Sequence, residues 1–329
     1  MGPNVSPPRE NSRSRPLGRF NGTKVVSRGV ERAPRRIGWV DPLNRRLDLV
    51  FPLPGLLSFL LILGFPIAFV LYVSLHDWPI SAIVPSTFLG LGNYLALLRS
   101  PRFWDSLWIT FYFTALAVGG ELLFGFAIAL LFHRDFPGRG LARVILIMPM
   151  AATPVAMSLI WNMMMEPTLG MLNYILSWVG IPPLLWAATP RGAIPSLALI
   201  DMWFWTPFVA LIISAGLQTI PEEILESARL DGATRIRLFL HITLPLVRPH
   251  VVMAVILRTI LALKTFDHIF VITGGGPLRA SETLNLYTFL EGFEFFHMGY
   301  SSALAVALTL VILVVSALLT RLRARQWSY

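Results

Sequence analysis

Long apolar runs alternate with shorter polar segments along most of this chain. Six runs are long enough to cross a membrane as helices, because about 20 apolar residues span the hydrocarbon core. They cover residues 50–75, 107–132, 141–161, 196–217, 251–273 and 298–319. The pattern predicts an all-α, polytopic membrane protein with six transmembrane helices.

One polar, charged segment, residues 219–245, separates the fourth run from the fifth. Thr219 can cap a helix with two acidic residues in its first turn, where the helix dipole favours negative charge. Gly232 can adopt the left-handed conformation that ends such a helix, and a second short helix over 234–242 would end before Pro245. The segment therefore predicts a helix-turn-helix elbow, although an amphipathic loop on the membrane surface would show a similar pattern.

Composition agrees with a membrane location, since 55% of the residues are hydrophobic and 14% are charged. The chain contains no cysteine, which excludes disulfides, thiol catalysis and cysteine metal sites. Of the 27 Lys and Arg residues, 11 lie in residues 1–49 among Ser, Pro, Gly and Asn. This stretch is predicted to be a disordered basic cytoplasmic tail that contacts anionic lipid, not nucleic acid, and 50–329 is the membrane domain.

The positive charges also predict the orientation of the spans. The two termini, the loop after the second run, the polar segment 219–245 and Arg248 just beyond it together hold 21 of the 27 Lys and Arg residues. Cytoplasmic loops carry the excess of positive charge in membrane proteins. Both termini and the polar segment are therefore predicted to face the cytoplasm.

Polar residues inside the fourth run are candidates for contact with a solute, because such groups are costly in lipid and often line a cavity. Asp201, Trp205 and Phe208 have i, i+4, i+7 spacing and share one helical face. A carboxylate beside aromatic rings suits a sugar, which offers hydroxyl groups and an apolar face. The alternative is that the rings only pack against neighbouring helices.

The fifth run carries a second set of polar residues. Arg258, Ala262 and Thr265 share a face, and Lys264 and Asp267 have the i, i+3 spacing of an internal ion pair. Whether Asp267 contacts a solute or only neutralises Lys264 is left open by the spacing.

Enzyme chemistry is not predicted for this chain. Its only lysines are Lys24 and Lys264, neither follows a glycine, and no phosphate-binding loop is present. The six histidines have no metal-like spacing, and no catalytic triad is recognisable. Glu121, in the second run, is predicted to be an interhelical hydrogen-bonding group in preference to a sugar ligand.

Two stretches resemble a known family. Glu226-Ser227-Ala228, then Gly232, and then Ile242-x-Leu244-Pro245 resemble the EAA loop of bacterial binding-protein-dependent ABC importer permeases. Residues 258–277 resemble the MalF-like sugar permeases, and the likeness extends from Val50 to the C-terminus. The resemblance implies the type I ABC importer permease fold. The family's consensus opens Glu-Ala-Ala, whereas this chain has Ser in the second place.

The resemblance also implies two sets of functional residues. The coupling helix, which docks on an ATP-hydrolysing subunit, and its flanking motif comprise Glu226, Ser227, Ala228, Asp231, Gly232, Ile242, Leu244 and Pro245. Substrate contacts are implied for Asp201, Trp205, Phe208, Arg258, Ala262 and Thr265, to which Asp267 is added from its charge.

The function implied is that of a permease subunit of an ATP-driven carbohydrate importer in the bacterial cytoplasmic membrane. Its implied partners are a MalG-like second permease, an ABC ATPase dimer that binds ATP and Mg, and an extracytoplasmic sugar-binding protein. No cofactor or metal is expected in this chain. Two alternatives remain open: a proton-coupled secondary transporter using Glu121, Asp201 and Asp267, and an importer of a polyol or glycerol phosphate with Arg258 as phosphate ligand.

Overall fold

The computed structural model describes residues 51–79 and 85–324. The predicted basic tail, 1–49, lies outside these residues. The chain divides into the units Met1–Ser58 and Phe59–Tyr329. Residues 51–58 are the described part of the first unit and contain the start of the first helix.

Helices account for nearly all of the regular structure in these residues, and one two-stranded antiparallel ladder joins β1 to β2. The predicted all-α class is confirmed. The elements in chain order are α1 (Leu53–Ser74), β1 (His76–Asp77), β2 (Thr87–Phe88), α2 (Gly92–Arg99), α3 (Pro101–His133), α4 (Arg139–Ala151), α5 (Pro154–Met164), α6 (Met171–Ser177), α7 (Pro190–Gln218), α8 (Glu222–Leu230), α9 (Arg235–Leu263), α10 (Asp267–Ile272), α11 (Leu284–Phe289) and α12 (Met298–Ala324).

Five helices in the described residues are long and apolar enough to cross a membrane: α1, α3, α7, α9 and α12. The short helices α4 and α5 make a sixth span if the bent pair they form is counted as one. The predicted polytopic architecture is therefore confirmed, with five helices of spanning length and a sixth span if the bent pair crosses the membrane.

The break in the third span corrects the prediction of one apolar run over 141–161. Helix α4 ends at Ala151, α5 begins at Pro154, and their axes differ by 100°. Ala152 and Thr153 are extended, as expected for residues just ahead of a proline, whose ring disfavours the helical conformation in the residue before it.

The fifth span also differs from its prediction at both ends. Helix α9 begins at Arg235, so the second helix of the elbow does not end before Pro245 but continues into the membrane span. A π-helical turn, Phe239–Thr243, precedes the proline, and Leu244 N–H bonds to the carbonyl of Phe239 five residues back. This wider turn is a common way to fit a proline, which cannot donate the usual backbone hydrogen bond.

At its other end α9 stops at Leu263, ten residues before the predicted limit of 273. Lys264 leaves the helical region, and a new short helix, α10, begins at Asp267. The acidic side chain of Asp267 in the first turn of α10 is favoured by the helix dipole there.

The first helix of the elbow ends where the sequence predicts, with Gly232 at φ +80° after α8. Its start is different, because Pro221 occupies the N-cap position. The Thr219 hydroxyl instead donates to the carbonyl of Gly216 at the end of α7, 2.8 Å away. Thr219 therefore belongs to the end of the span and not to the elbow.

Helices α3 and α7 pack together along much of their length and contribute to the apolar core. A side chain on Gly125 of α3 would place its Cβ 2.8 Å from Val209 Cγ1 and 3.2 Å from the backbone nitrogen of Ala210. Small residues let membrane helices approach this closely. The absence of a side chain at Gly125 therefore fixes the spacing of the two helices.

Candidate functional site

Three charged side chains from three spans meet in the interior. Arg258 of α9 donates from Nε to Glu121 Oε2 of α3, 2.5 Å away, and from Nη2 to Glu121 Oε1, also 2.5 Å away. The same Nη2 donates to Asp201 Oδ2 of α7 at 2.6 Å. All three residues have no exposed surface. We call Glu121, Asp201 and Arg258 the buried charge cluster.

Close packing of α3 and α7 places the two carboxylates on either side of the guanidinium. Gly120, next to Glu121, faces Met202, next to Asp201, and a Cβ on this glycine would lie 2.3 Å from the Met202 sulfur. The predicted interhelical role of Glu121 is confirmed by its bidentate pairing with Arg258.

The cluster contains more negative than positive charge. One guanidinium faces two carboxylates, and burial of an unbalanced charge is costly. His268 of α10 is the next titratable group, with its Nε2 3.5 Å from Asp201 Oδ1. These two atoms and Arg258 Nη1 are three of the five buried side-chain atoms that have no hydrogen-bond partner among the described residues.

A cavity of about 200 Å³ lies beside the cluster, with Arg258 in its lining. Four of the predicted substrate residues line it: Trp205, Arg258, Thr265 and Asp267. The indole ring of Trp205 is stacked on Arg258, with the guanidinium carbon 4.7 Å from the ring centroid. The structure thus brings together aromatic, cationic, hydroxyl and carboxylate groups that are up to 62 positions apart in sequence.

The other three predicted substrate residues stand behind this lining. Asp201 reaches the cavity only through Arg258, to which it is bonded. Phe208 packs its ring edgewise on that of Trp205, with the centroids 5.9 Å apart. Ala262 is buried in the packing of α9.

The predicted ion pair between Lys264 and Asp267 is wrong. No ion pair within 4.0 Å joins these residues in the described part of the chain, and both side chains are exposed. The backbone carbonyl of Lys264 instead accepts a hydrogen bond from Asn285 Nδ2 at 2.7 Å. An i, i+3 spacing brings two side chains together only on a continuous helix. Helix α9 ends at Leu263, before both residues.

Sequence reasoning missed part of the lining. Pro154, Met157 and Ser158 of α5 reach the cavity only because the third span is bent. His268 also lines it, and a histidine beside an intramembrane carboxylate was an available signal. Trp203 is another lining residue, and it packs on Trp161 with ring centroids 5.5 Å apart.

The elbow lies apart from this cavity and has the opposite character. Glu226, Ser227, Asp231 and Gly232 are exposed, and Ala228 is half-buried. Leu230, an apolar residue at the end of α8, is 89% exposed.

Ile242, Leu244 and Pro245 do not share the elbow's turn. They lie on α9 at and just after the π-helical turn, two of them half-buried and Pro245 exposed. The eight predicted coupling residues therefore lie on two consecutive helices and in the turn between them.

Several helices of membrane-spanning length, a broken helix and a cavity beside buried charges are features typical of a membrane transport component. Residues 121–328 match the family described as the binding-protein-dependent transport system inner membrane component, and the chain belongs to this family. It is a permease of the sugar type found in binding-protein-dependent importers.

Named relatives agree over most of the chain. The sulfoquinovosyl glycerol transport system permease protein SmoG of Agrobacterium fabrum is 36% identical, over 88% of this chain and 94% of its own. The trehalose/maltose transport system permease protein MalF of Thermococcus litoralis is 36% identical, over 82% and 90% respectively. The crystal structure of a bacterial ABC transporter involved in the import of the acidic polysaccharide alginate has the same fold, with a TM-score of 0.75, 20% identity, and coverage of 87% of this chain and 98% of that one.

Proposed function

We propose that this chain is the transmembrane permease subunit of an ATP-driven importer for a di- or oligosaccharide or a related sugar. The observation that carries the proposal is the cavity in which the Arg258 guanidinium, the Thr265 hydroxyl and the Trp205 ring meet. Hydrogen-bonding groups beside an aromatic face suit a sugar. The relative named for trehalose and maltose supports the same class of cargo.

Within this site we assign different roles to the predicted residues. Trp205, Arg258, Thr265 and Asp267 contact the sugar, since they line the cavity. Asp201 holds Arg258 in place through its hydrogen bond, and Phe208 supports the Trp205 ring. Ala262 leaves room for α9 to pack.

A second permease, MalG-like, completes the translocation path. The cavity of about 200 Å³ is smaller than the roughly 300–1,000 Å³ of most ligand pockets, so one chain forms only part of the wall. Many residues of α1 are exposed large hydrophobic residues, which lipid or a partner subunit would cover.

The elbow is the coupling loop that contacts an ABC ATPase dimer, which binds ATP and Mg. Its exposed helix α8 carries Glu226 and Ser227 of the EAA-like motif on the surface, where a partner can reach them. The Gly232 turn joins α8 directly to the span that contains Arg258. Closure of the ATPases would therefore move the wall of the cavity.

The distribution of positive charge supports a cytoplasmic position for the elbow and both termini, with the chain in the bacterial cytoplasmic membrane. A sugar-binding protein then delivers cargo from the opposite side. The basic residues 1–49 form a cytoplasmic tail that contacts anionic lipid.

The test is co-purification from the native membrane, followed by ATPase assays with sugar-loaded binding proteins and with the same proteins free of sugar as the control. We expect a second permease and an ATPase to co-purify, and one loaded binding protein to stimulate hydrolysis. A chain that purifies alone and moves solute with a proton gradient would contradict the proposal and favour a secondary transporter.

A further inference from the structure

The charges around the cavity restrict what can bind there. The charged and titratable groups that line it or lie directly behind it come from α3, α7, α9, α10 and the segment between α9 and α10. The α5 lining residues carry no charge. The groups are Glu121, Asp201, Arg258, Lys264, Asp267 and His268.

These groups provide no excess of positive charge. With His268 neutral, two cations face three carboxylates, and with His268 protonated the numbers are equal. Arg258, the only buried cation among them, directs Nε and Nη2 to two carboxylates at 2.5–2.6 Å. Its charge is thereby compensated before any solute arrives.

One atom of the guanidinium has no hydrogen-bond partner, and it would meet a solute only after the side chains that cover it move. Nη1 of Arg258 is buried without a hydrogen-bond partner, and Arg258 lines the cavity. An uncharged hydroxyl could accept a hydrogen bond from this atom. An anionic group in the same place would lie close to Glu121 and Asp201, and its repulsion from both would act in a medium of low dielectric constant.

We infer that the cavity accepts an uncharged sugar and rejects acidic sugars and sugar phosphates, and that Glu121 is the residue that sets this selectivity. The inference rests on the proposed function as a carbohydrate permease. It separates a neutral sugar or polyol from glycerol phosphate as cargo. Glu121 acts through charge alone, because it contacts Arg258 and does not line the cavity.

The experiment measures sugar binding to the detergent-purified importer without its binding protein, so that the selectivity of that protein does not enter. The probes are trehalose and maltose, each paired with its 6-carboxylate derivative, followed by ligand-observed NMR. We expect the wild type to prefer the neutral member of a pair by about tenfold or more, as one unit charge a few ångström away would produce.

The variant Glu121→Gln keeps an oxygen that can accept from Arg258 but removes one negative charge. We expect it to reduce the preference for the neutral sugar at least about tenfold. Asp201→Asn removes the same charge from the other side of the guanidinium and should act in the same direction if Glu121→Gln does not assemble. Glu294→Gln is the matched control, because Glu294 is exposed and does not line the cavity.

The outcomes are distinguishable. Binding of both members of a pair with equal affinity by the wild type would overturn the inference and leave the carbohydrate function intact. An unchanged preference in both variants would overturn the role of Glu121. If neither kind of sugar binds, and no sugar-loaded binding protein stimulates hydrolysis, the proposed function fails and the inference fails with it.

Discussion

The buried charge cluster and the elbow use charged residues in opposite ways. In the cluster, Arg258 bonds to both carboxylates and none of the three residues is exposed. In residues 222–237 of the elbow, four acidic and three basic side chains form no ion pair within 4.0 Å in the described structure. Buried charges must be paired within the chain, whereas exposed ones remain available to another molecule.

The cluster and the elbow also differ in how their structures are held in place. The cluster ties α3, α7 and α9 together across the interior through side chains. The elbow is shaped by its backbone, through the positive φ of Gly232 and the Thr234 hydroxyl, which accepts from Arg237 N–H. Variants in the cluster and variants in the elbow should therefore differ in the size of their effects and in the property that changes, stability or transport.

The largest expected effect is that of Arg258→Met. It leaves Glu121 and Asp201 buried without their cation, and removal of one partner of a buried ion pair costs about 3–5 kcal/mol. We expect a large loss of assembled protein in the membrane, measured as yield and thermal stability in detergent. Adding Glu121→Gln to Arg258→Met should restore part of the yield and thermal stability. If Arg258→Met alone is as stable as the wild type, the account of the cluster is contradicted.

A smaller effect is expected for Gly125→Ala, which forces the Val209 side chain and the α7 backbone away from α3. Overpacking of this kind costs about 1–3 kcal/mol. The matched control is Gly119→Ala in the same helix, because a Cβ there meets nothing within 4 Å. Equal melting temperatures for the two variants would show that α3 and α7 are not held by this contact.

At the elbow, Gly232→Ala strains a residue with φ +80°, and the cost is about 1 kcal/mol. Gly138→Ala strains a residue with φ +82° in equally open space, before α4. Both variants should be equally stable. Only Gly232→Ala should lower transport per ATP hydrolysed in reconstituted vesicles, and equal transport would count against the coupling assignment.

The smallest effect concerns Glu166, in the loop after α5. Its carboxylate accepts from the backbone N–H of Leu169, from the hydroxyl of Thr168 and from Thr168 N–H, and these hydrogen bonds hold its pKa below the ordinary value. Because the pKa of Glu166 is lowered in the folded chain, its hydrogen bonds stabilise the loop fully at pH values above the unfolded pKa. This stabilisation is lost as the pH falls through the folded pKa.

Hydrogen exchange of the Thr168 and Leu169 amides measures this release. Exchange, corrected for its intrinsic pH dependence, should accelerate below the lowered pKa in the wild type, and Glu166→Gln should remove the pH dependence. A pH dependence that persists in the variant would show that another group holds the loop.

Features that depend only on neighbouring residues could be predicted from the sequence. The end of α8 at Gly232 could be predicted, because one residue type tolerates that backbone conformation. The apolar runs likewise predicted the membrane class. The 100° bend of the third span was missed, because hydropathy records how apolar a run is and not whether its axis is straight.

The site was only partly predictable for a similar reason. Helical spacing found Trp205 and Arg258, but Glu121 lies 137 positions before Arg258, and no pattern along the chain states which spans are neighbours. The possible pair of Lys264 with Asp267 does not form, because spacing arguments assume a continuous helix, and α9 ends at Leu263, before both residues. Contacts between spans and helix ends thus limited the prediction.

Helix α9 gives the chain a mechanical property. Its first residue, Arg235, lies in the elbow, three positions after Gly232, and Arg258 lies 23 positions further along the same helix, about 35 Å at the usual rise per residue. A helix resists compression along its axis, so a displacement at one end reaches the other with little loss. The π-helical turn at Phe239–Thr243 departs from the regular α-helical bonding of α9, and in the proposed coupling its stiffness would set how far the arginine travels for a given push.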